Sequence, residues 1–235
     1  MIHAKVAYQS VISLGAYCQC AYQIRRYTGC NSASYFDWLG TPYSGLIHEL
    51  THEFKTSFRL LSLRRTNGNR HVIDKVTGII YAHTFSRDPH TATIRSLTIL
   101  REFRKQREKR EYLTTKWALR IRREDILFVR HGHLTTLEAY ELYGLLRSHA
   151  GRNRIGLACL VPDNSDLNVR HEHIYVRSGF PIPAGAHDWR GDDLNWDAFF
   201  NEFIPHLEST ERTDTRTSPS DGPTVPCTEY SKTKQ

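Results

Sequence analysis

Cys18 closes the stretch Ser13-Leu14-Gly15-Ala16-Tyr17-Cys18, where an apolar, β-prone run (Val11, Ile12, Leu14) meets a glycine and then a thiol. Gln19 to Arg26 reads as a helix, so the thiol stands where a strand turns into a helix, at the positive end of the helix dipole. That setting favours the nucleophilic thiolate. The other reading is a buried small hydrophobe, the usual state of a free cysteine. A cysteine nucleophile needs a general base and a group that orients it. Thirteen histidines offer candidates, and only their positions sort them. His83 follows the apolar run Ile79 to Ala82. His131 and His133 follow Ile126 to Val129, the carboxyl end of an expected central strand, where sites of open α/β sheets gather. Arg130 in the same place suits an anionic group, or a carboxylate of the core rim. Tyr35-Phe36-Asp37-Trp38-Leu39 sets one acid among aromatics. An unpaired carboxylate there would be costly, so Asp37 is either a hydrogen-bonded organiser or part of a site.

Two further groups carry possible chemistry. His48-Glu49-Leu50-Thr51-His52 matches the H-E-x-x-H pattern of zinc proteases. No third ligand stands at a matching distance, and Leu46, Ile47 and Phe54 favour a packed helix with outward histidines, so no metal and no cofactor is expected. His187-Asp188 and Asp192-Asp193 precede the last helical pattern, where Asp193 is expected to act as N-cap.

The elements that must position these residues alternate. A strand at Ser10–Leu14 leads to a helix at Cys18–Tyr27, and a second helix runs from Thr41-Pro42 to about Phe54, with the proline in its first turn. His71–Asp74 and Ile79–Ala82 flank Lys75-Val76-Thr77-Gly78 as a hairpin. Ile94, Leu97, Leu100 and Phe103 predict a helical stripe that breaks and resumes with Leu113, Trp117 and Ile121. Asp125–Arg130 is a buried strand, Thr135–Ser148 a helix with a threonine cap, and Ile155–Val161 and His173–Arg177 are strands. Trp196, Phe199, Phe200, Phe203 and Leu207 form a closing amphipathic helix. Strands separated by helices predict an α/β fold with a mostly parallel central sheet in three layers, plus one hairpin. Residues 1–208 are read as one domain. From 209 to 235 the composition turns to Ser, Thr, Pro, Asp, Gly and Lys without periodicity, which predicts a disordered tail.

Composition narrows the partners. No apolar run reaches the roughly 20 residues of a membrane span, and no secretory signal is visible. Five cysteines without framework spacing are read as reduced thiols of an intracellular, cytoplasmic protein. The net charge of +7 is concentrated between Arg95 and Arg123, where eleven Lys/Arg face three acids. That stretch could contact nucleic acid or an anionic surface, with Arg104, Lys105 and Arg107 central to it, but the favoured reading is the solvated face of a helix, because aromatics are not interleaved for base stacking.

Assembled, these residues resemble a family of unknown function labelled as papain-like cysteine peptidases. Its S-L-G-x-x-C-x-x-A strand end matches Ser13 to Ala21, and its P-F-D-W-L segment matches Tyr35 to Leu39 with tyrosine for proline. Its H-D-F element matches His83-Thr84-Phe85 with threonine for the acid, and its F-V-R strand end matches Phe128-Val129-Arg130. Its W-x-G-x-D-x-x-W segment is met by Trp189, Gly191, Asp193 and Trp196. The resemblance implies Cys18 as nucleophile, His83 as base and Asp37 as the orienting acid, acting on a peptide, amide or ester. Arg130, His131, Trp38 and Trp189 are the expected substrate contacts. The alternative is a different α/β enzyme or anion-binding module, with a sugar or phosphate held at Arg130 and the nearby histidines.

Overall fold

The computed structural model describes residues 7–183 and 189–204. The expected tail, Cys227, Leu207 and the pair His187-Asp188 lie outside the described residues. The chain builds two sheets. The central one is β1 (Ser10–Ser13), β6 (Ile126–His131), β7 (Ile155–Leu160) and β8 (Ile174–Arg177), all parallel and in that spatial order. The smaller one is antiparallel, in the order β2 (Leu39–Gly40), β5 (Ile80–Tyr81), β4 (His71–Asp74), β3 (Leu63–Thr66).

Register explains why the central strands are apolar throughout. Ile12, Phe128, Leu157 and Ile174 lie opposite one another in one row across the sheet. They face a core completed by α2 (Tyr43–Thr51), α3 (Ser96–Ile121) and α4 (Thr136–Ala150), through Leu46, Leu50, Trp117, Leu142 and Leu146. One residue along each strand, Val11, Leu127, Val129, Ala158 and Leu160 turn to the other face. There they meet α1 (Cys18–Thr28) and α5 (Asp193–Phe203) through Cys20, Trp196, Phe199, Phe200 and Phe203. The period-2 alternation thus feeds two apolar layers, the three-layer α/β arrangement expected of a parallel sheet.

The helix ends follow their local chemistry. Gly29 closes α1 at φ +64°, with its N–H on the Arg25 carbonyl. Thr135 caps α4 in a capping box with Glu138. Pro42 stands one place earlier than expected, as the N-cap of α2 rather than inside its first turn. The cap of α5 is Asp192, whose side chain accepts from the Leu194 N–H, and not Asp193. Asp193 is occupied elsewhere, accepting from Gln23 on α1.

The long helix α3 differs most from the sequence expectation. It is continuous, and Leu97 and Leu100 are 61% and 57% exposed, so the stripe drawn through them is wrong. Its buried face runs through Ile99, Arg110, Leu113, Trp117 and Ile121. Its early residues Ile99 and Phe103 pack under the small sheet and its late ones under the large sheet, so α3 joins the two cores. The exposed basic face is interrupted by acids that pair with it, Arg104 with Glu108 at 3.0 Å and Arg107 with Glu111 at 2.9 Å. No helix among the described residues is long and apolar enough to cross a membrane.

Candidate active site

At the carboxyl end of β1, Leu14 donates its N–H to the Val129 carbonyl at 2.9 Å, still in the ladder of β6. The chain then turns sharply. Ser13 Oγ accepts from the Gly15 N–H at 3.1 Å, and Gly15 and Ala16 both stand at φ +73°. A left-handed alanine costs roughly 1–2 kcal/mol, so the surrounding packing must hold it. Tyr17 returns to extended backbone as the N-cap of α1, with no side-chain capping bond, and Cys18 is the first helical residue, 1% exposed.

Arg130 is what holds the turn. Its guanidinium donates to the Leu14 carbonyl at 3.0 Å and to the Thr41 carbonyl at 2.9 Å, clamping the β1 turn to the segment that enters α2. The side chain is buried, and burial lowers its pKa to about 10. His131 is fully buried as well: its Nε2 lies 3.1 Å from the Phe180 carbonyl, and its ring sits between Tyr17 and Trp196. Burial pulls its pKa down to about 4. Gly132 follows at φ +125°, and a side chain there would press on the Tyr17 ring.

The remaining expected residues gather on the far side of α1. Asp37 is buried and accepts from the Ser34 N–H at 2.9 Å and from Arg25 at 3.0 Å. Burial raises its pKa, opposed by those two donors. Arg25 also lies 5.3 Å over the Trp38 ring, and Trp38 holds a left-handed φ of +62°. Trp38 meets His83 edge to face at 6.2 Å and Trp189 at 6.4 Å. Trp189 in turn packs at 5.1 Å on Tyr22, one helical turn after Cys18. His83 has its pKa lowered, chiefly by burial and then by Arg87, which keeps the imidazole neutral near pH 7. Asp37, Trp38, His83 and Thr84 line one cavity of about 100 Å³.

The segment from Trp189 to Trp196 completes the site by docking on α1. Gln23 donates to the Arg190 carbonyl at 2.6 Å and to Asp193 at 2.7 Å, while Arg26 pairs with Asp193 and Asp197. Gly191 stands at φ +76°, and a Cβ there would meet the Gln19 side-chain amide, which would have to shift. Four of the five sequence segments singled out above therefore meet at α1, and His83 joins them through the Trp38 ring. Sequence reasoning passed over Gln19, Gln23 and Arg25, whose signal was present: polar residues at positions 19 and 23 share the inward face of a short amphipathic helix.

The other cysteines divide cleanly. Cys20 and Cys159 are buried thiols with pKa pushed up to about 12 by burial, and Cys30 is an exposed free thiol. Cys18 is disulfide-bonded, so the expectation of reduced cysteines holds for those three and fails at Cys18. The H-E-x-x-H segment is split by its helix. Glu49 is buried and accepts from Tyr35 Oη at 3.1 Å, while the rings of His48 and His52 stack on each other at 4.2 Å. Among the described residues no group of three potential ligands is placed to hold a metal ion.

No curated protein and no solved structure matches the chain significantly. A family model does, over residues 9–151, which span β1 through the end of α4 and so include the Cys18 turn, Asp37, His83 and Arg130. The chain belongs to the family described as "Putative papain-like cysteine peptidase (DUF1796)".

Proposed function

We propose that the protein is a thiol-dependent hydrolase or acyltransferase acting on a peptide, amide or ester, with Cys18 as the nucleophile when reduced. The observation that carries this reading is the strained Gly15-Ala16 turn, which delivers Cys18 to the first position of α1. Backbone strain of this kind clusters at functional sites, and the helix terminus favours the thiolate. His83, held neutral, is the base. It takes the thiol proton as sulfur attacks the acyl carbon, and returns it to the leaving amine or alkoxide as the tetrahedral adduct collapses to a thioester. Water, or another acceptor, then releases the acyl group. Asp37 is a positioning residue: it fixes Arg25, and Arg25 supports the Trp38 ring against which His83 rests. Trp38 and Trp189 are half-buried faces suited to an apolar part of the substrate. Burial turns Arg130 and His131 from the substrate contacts expected of them into supports of the turn, which disfavours the anion-binding alternative.

The test is alkylation of the reduced protein by iodoacetamide at pH 6, with Cys30 as the exposed internal reference. An ordinary thiol is only roughly 0.3% ionised there, so an activated Cys18 should react at least tenfold faster than Cys30 despite its burial. His83→Gln should remove that advantage. Equal or slower labelling of Cys18 in protein shown to be reduced refutes the assignment.

A further inference from the structure

The loop that follows β5 stands between two cavities, and α3 walls both of them. Arg87 donates to the Ala82 carbonyl at 3.1 Å, which closes the loop on itself. The Ser86 N–H donates to the Glu102 carboxylate at 3.0 Å, which fixes the loop to the helix. Phe85, stacked with Phe58 at 6.2 Å, anchors it in the small core. His83 and Thr84 are thereby held, half-buried, between a cavity of about 280 Å³ and the cavity of about 100 Å³ that Trp38 also lines. Gln106 of α3 borders the two together.

The helix wall carries positive charge that the fold does not answer. Lys105 lines the larger cavity and Lys109 the smaller, and at four residues' spacing they share one flank of α3. Both are exposed, and neither forms an ion pair among the described residues. The outer face of the helix is different. There Arg104 and Arg107 each find a glutamate four places on, whereas the residue four places after Lys105 is Lys109, and four after Lys109 is Leu113. Arg87 adds a third cation to the larger cavity. Arg110 lines the smaller one, but its guanidinium is stacked on Tyr35. The carboxylates present are engaged: Glu102 accepts from Ser86, and Asp37 from Arg25 and Ser34. Like charges four residues apart disfavour a helix, so an anion lying across the two lysines removes a repulsion as well as adding an attraction.

Building on His83 as the base, we propose that the two cavities form one substrate groove that passes it, and that Lys105, Lys109 and Arg87 select an acidic peptide. Its carboxylate side chains flank the acyl group presented to His83, one set towards Lys105 and Arg87, the other towards Lys109. Trp38 offers an apolar surface beside the second set. Charge complementarity decides the class: a neutral peptide leaves the lysines unanswered, and a basic one is repelled. Exposed cations at a groove's rim choose between substrates without taking part in proton transfer, so these three are specificity-determining residues rather than catalytic ones.

The test measures binding by fluorescence anisotropy on the full chain carrying Cys18→Ser, which keeps the peptide intact. The probes are a fluorescein-labelled Glu-Glu-Gly-Glu-Glu peptide, its Gln and Lys counterparts, and a labelled oligothymidine. The Glu peptide should bind about tenfold more tightly than the Gln peptide, as three partly exposed ion pairs allow, and the Lys peptide most weakly. Adding Lys105→Gln and Lys109→Gln should cut the preference for Glu over Gln to about threefold or less. Adding Arg104→Gln and Arg107→Gln instead, on the outer face, should leave it unchanged. Equal binding of the Glu and Gln peptides overturns the proposal, as does a preference that survives loss of both lysines or falls equally in the outer-face variant. Tighter binding of the oligothymidine than of the Glu peptide overturns it too. Alkylation of Cys18 involves no peptide, so the nucleophile assignment and the substrate class can each fail alone.

Discussion

Replacing Gly15 by alanine should destabilise the protein by about 2–4 kcal/mol. Two costs add. The residue stands at φ +73°, where any L side chain is strained by roughly 1–2 kcal/mol. The new Cβ would also sit 2.5 Å from Thr41 Oγ1 and 3.0 Å from Thr41 Cβ, with the Phe36 carbonyl at 3.3 Å. Thr41 is β-branched and 2% exposed, and its carbonyl is pinned by Arg130, so it has little room to retreat. Overpacking of this sort costs roughly 1–3 kcal/mol, and the stiffer unfolded chain returns about 0.4–1 kcal/mol. Gly68→Ala is the control, because Gly68 shares a positive φ of +58° but has nothing within 4 Å. It should cost no more than about 1 kcal/mol. Urea denaturation of both variants against the unaltered protein isolates the steric part, and Gly15→Ala should also lower Tm by roughly 5–15 °C. If the two alanines cost the same, the turn is not held by Thr41 in the way argued, and the case that packing forces Cys18 into place falls with it.

Two other outcomes follow from burial. His131 is neutral in the fold, with a pKa of about 4 against an unfolded value near 6.5. The unfolded chain therefore binds the proton first as pH falls: the stabilisation is complete above about pH 6.5 and is lost down to about pH 4, roughly 3 kcal/mol in all. His131→Gln should flatten that limb in urea titrations at pH 4–7, and an unchanged slope would place the titration elsewhere. On α3, Leu100→Ala should cost under about 0.5 kcal/mol and Trp117→Ala about 3–5 kcal/mol, since Leu100 is 57% exposed and Trp117 only 4%; denaturation midpoints that reverse this order would restore the stripe drawn from sequence.

That stripe shows where sequence reading stops. Apolar patterning found α4, β7 and α5, because each buries a clean apolar set. It misplaced the buried face of α3 because a cation sits in the middle of it. Arg110 is buried with its guanidinium 4.1 Å over Tyr35, 4.9 Å over Tyr81 and 5.3 Å over Phe58, aromatics contributed by three separate segments. A charged residue in the apolar stripe reads as surface until its distant partners are known. The strand β3, Leu-Arg-Arg-Thr, escaped notice for a related reason: only Leu63 is buried, so the element is defined by its pairing with β4 rather than by its own pattern. At the site, residue types and strand ends were legible, but the burial of Arg130 and His131 and their hydrogen bonds to backbone carbonyls were not. Both are polar residues at a strand's carboxyl end, and only burial tells a clamp from a ligand-binding group.

The hydrogen bond from the Tyr8 N–H to the Phe203 carbonyl, at 3.1 Å, has a topological consequence. It brings Tyr8, just before β1, beside the last residue of α5, so these two described segments share a seam. That seam lies at the amino end of β1, whereas Cys18 lies beyond its carboxyl end. A linker joining the two sides of the seam, with new ends opened in the exposed Asn67–Asn69 turn, would give a circular permutant whose Cys18 turn is untouched.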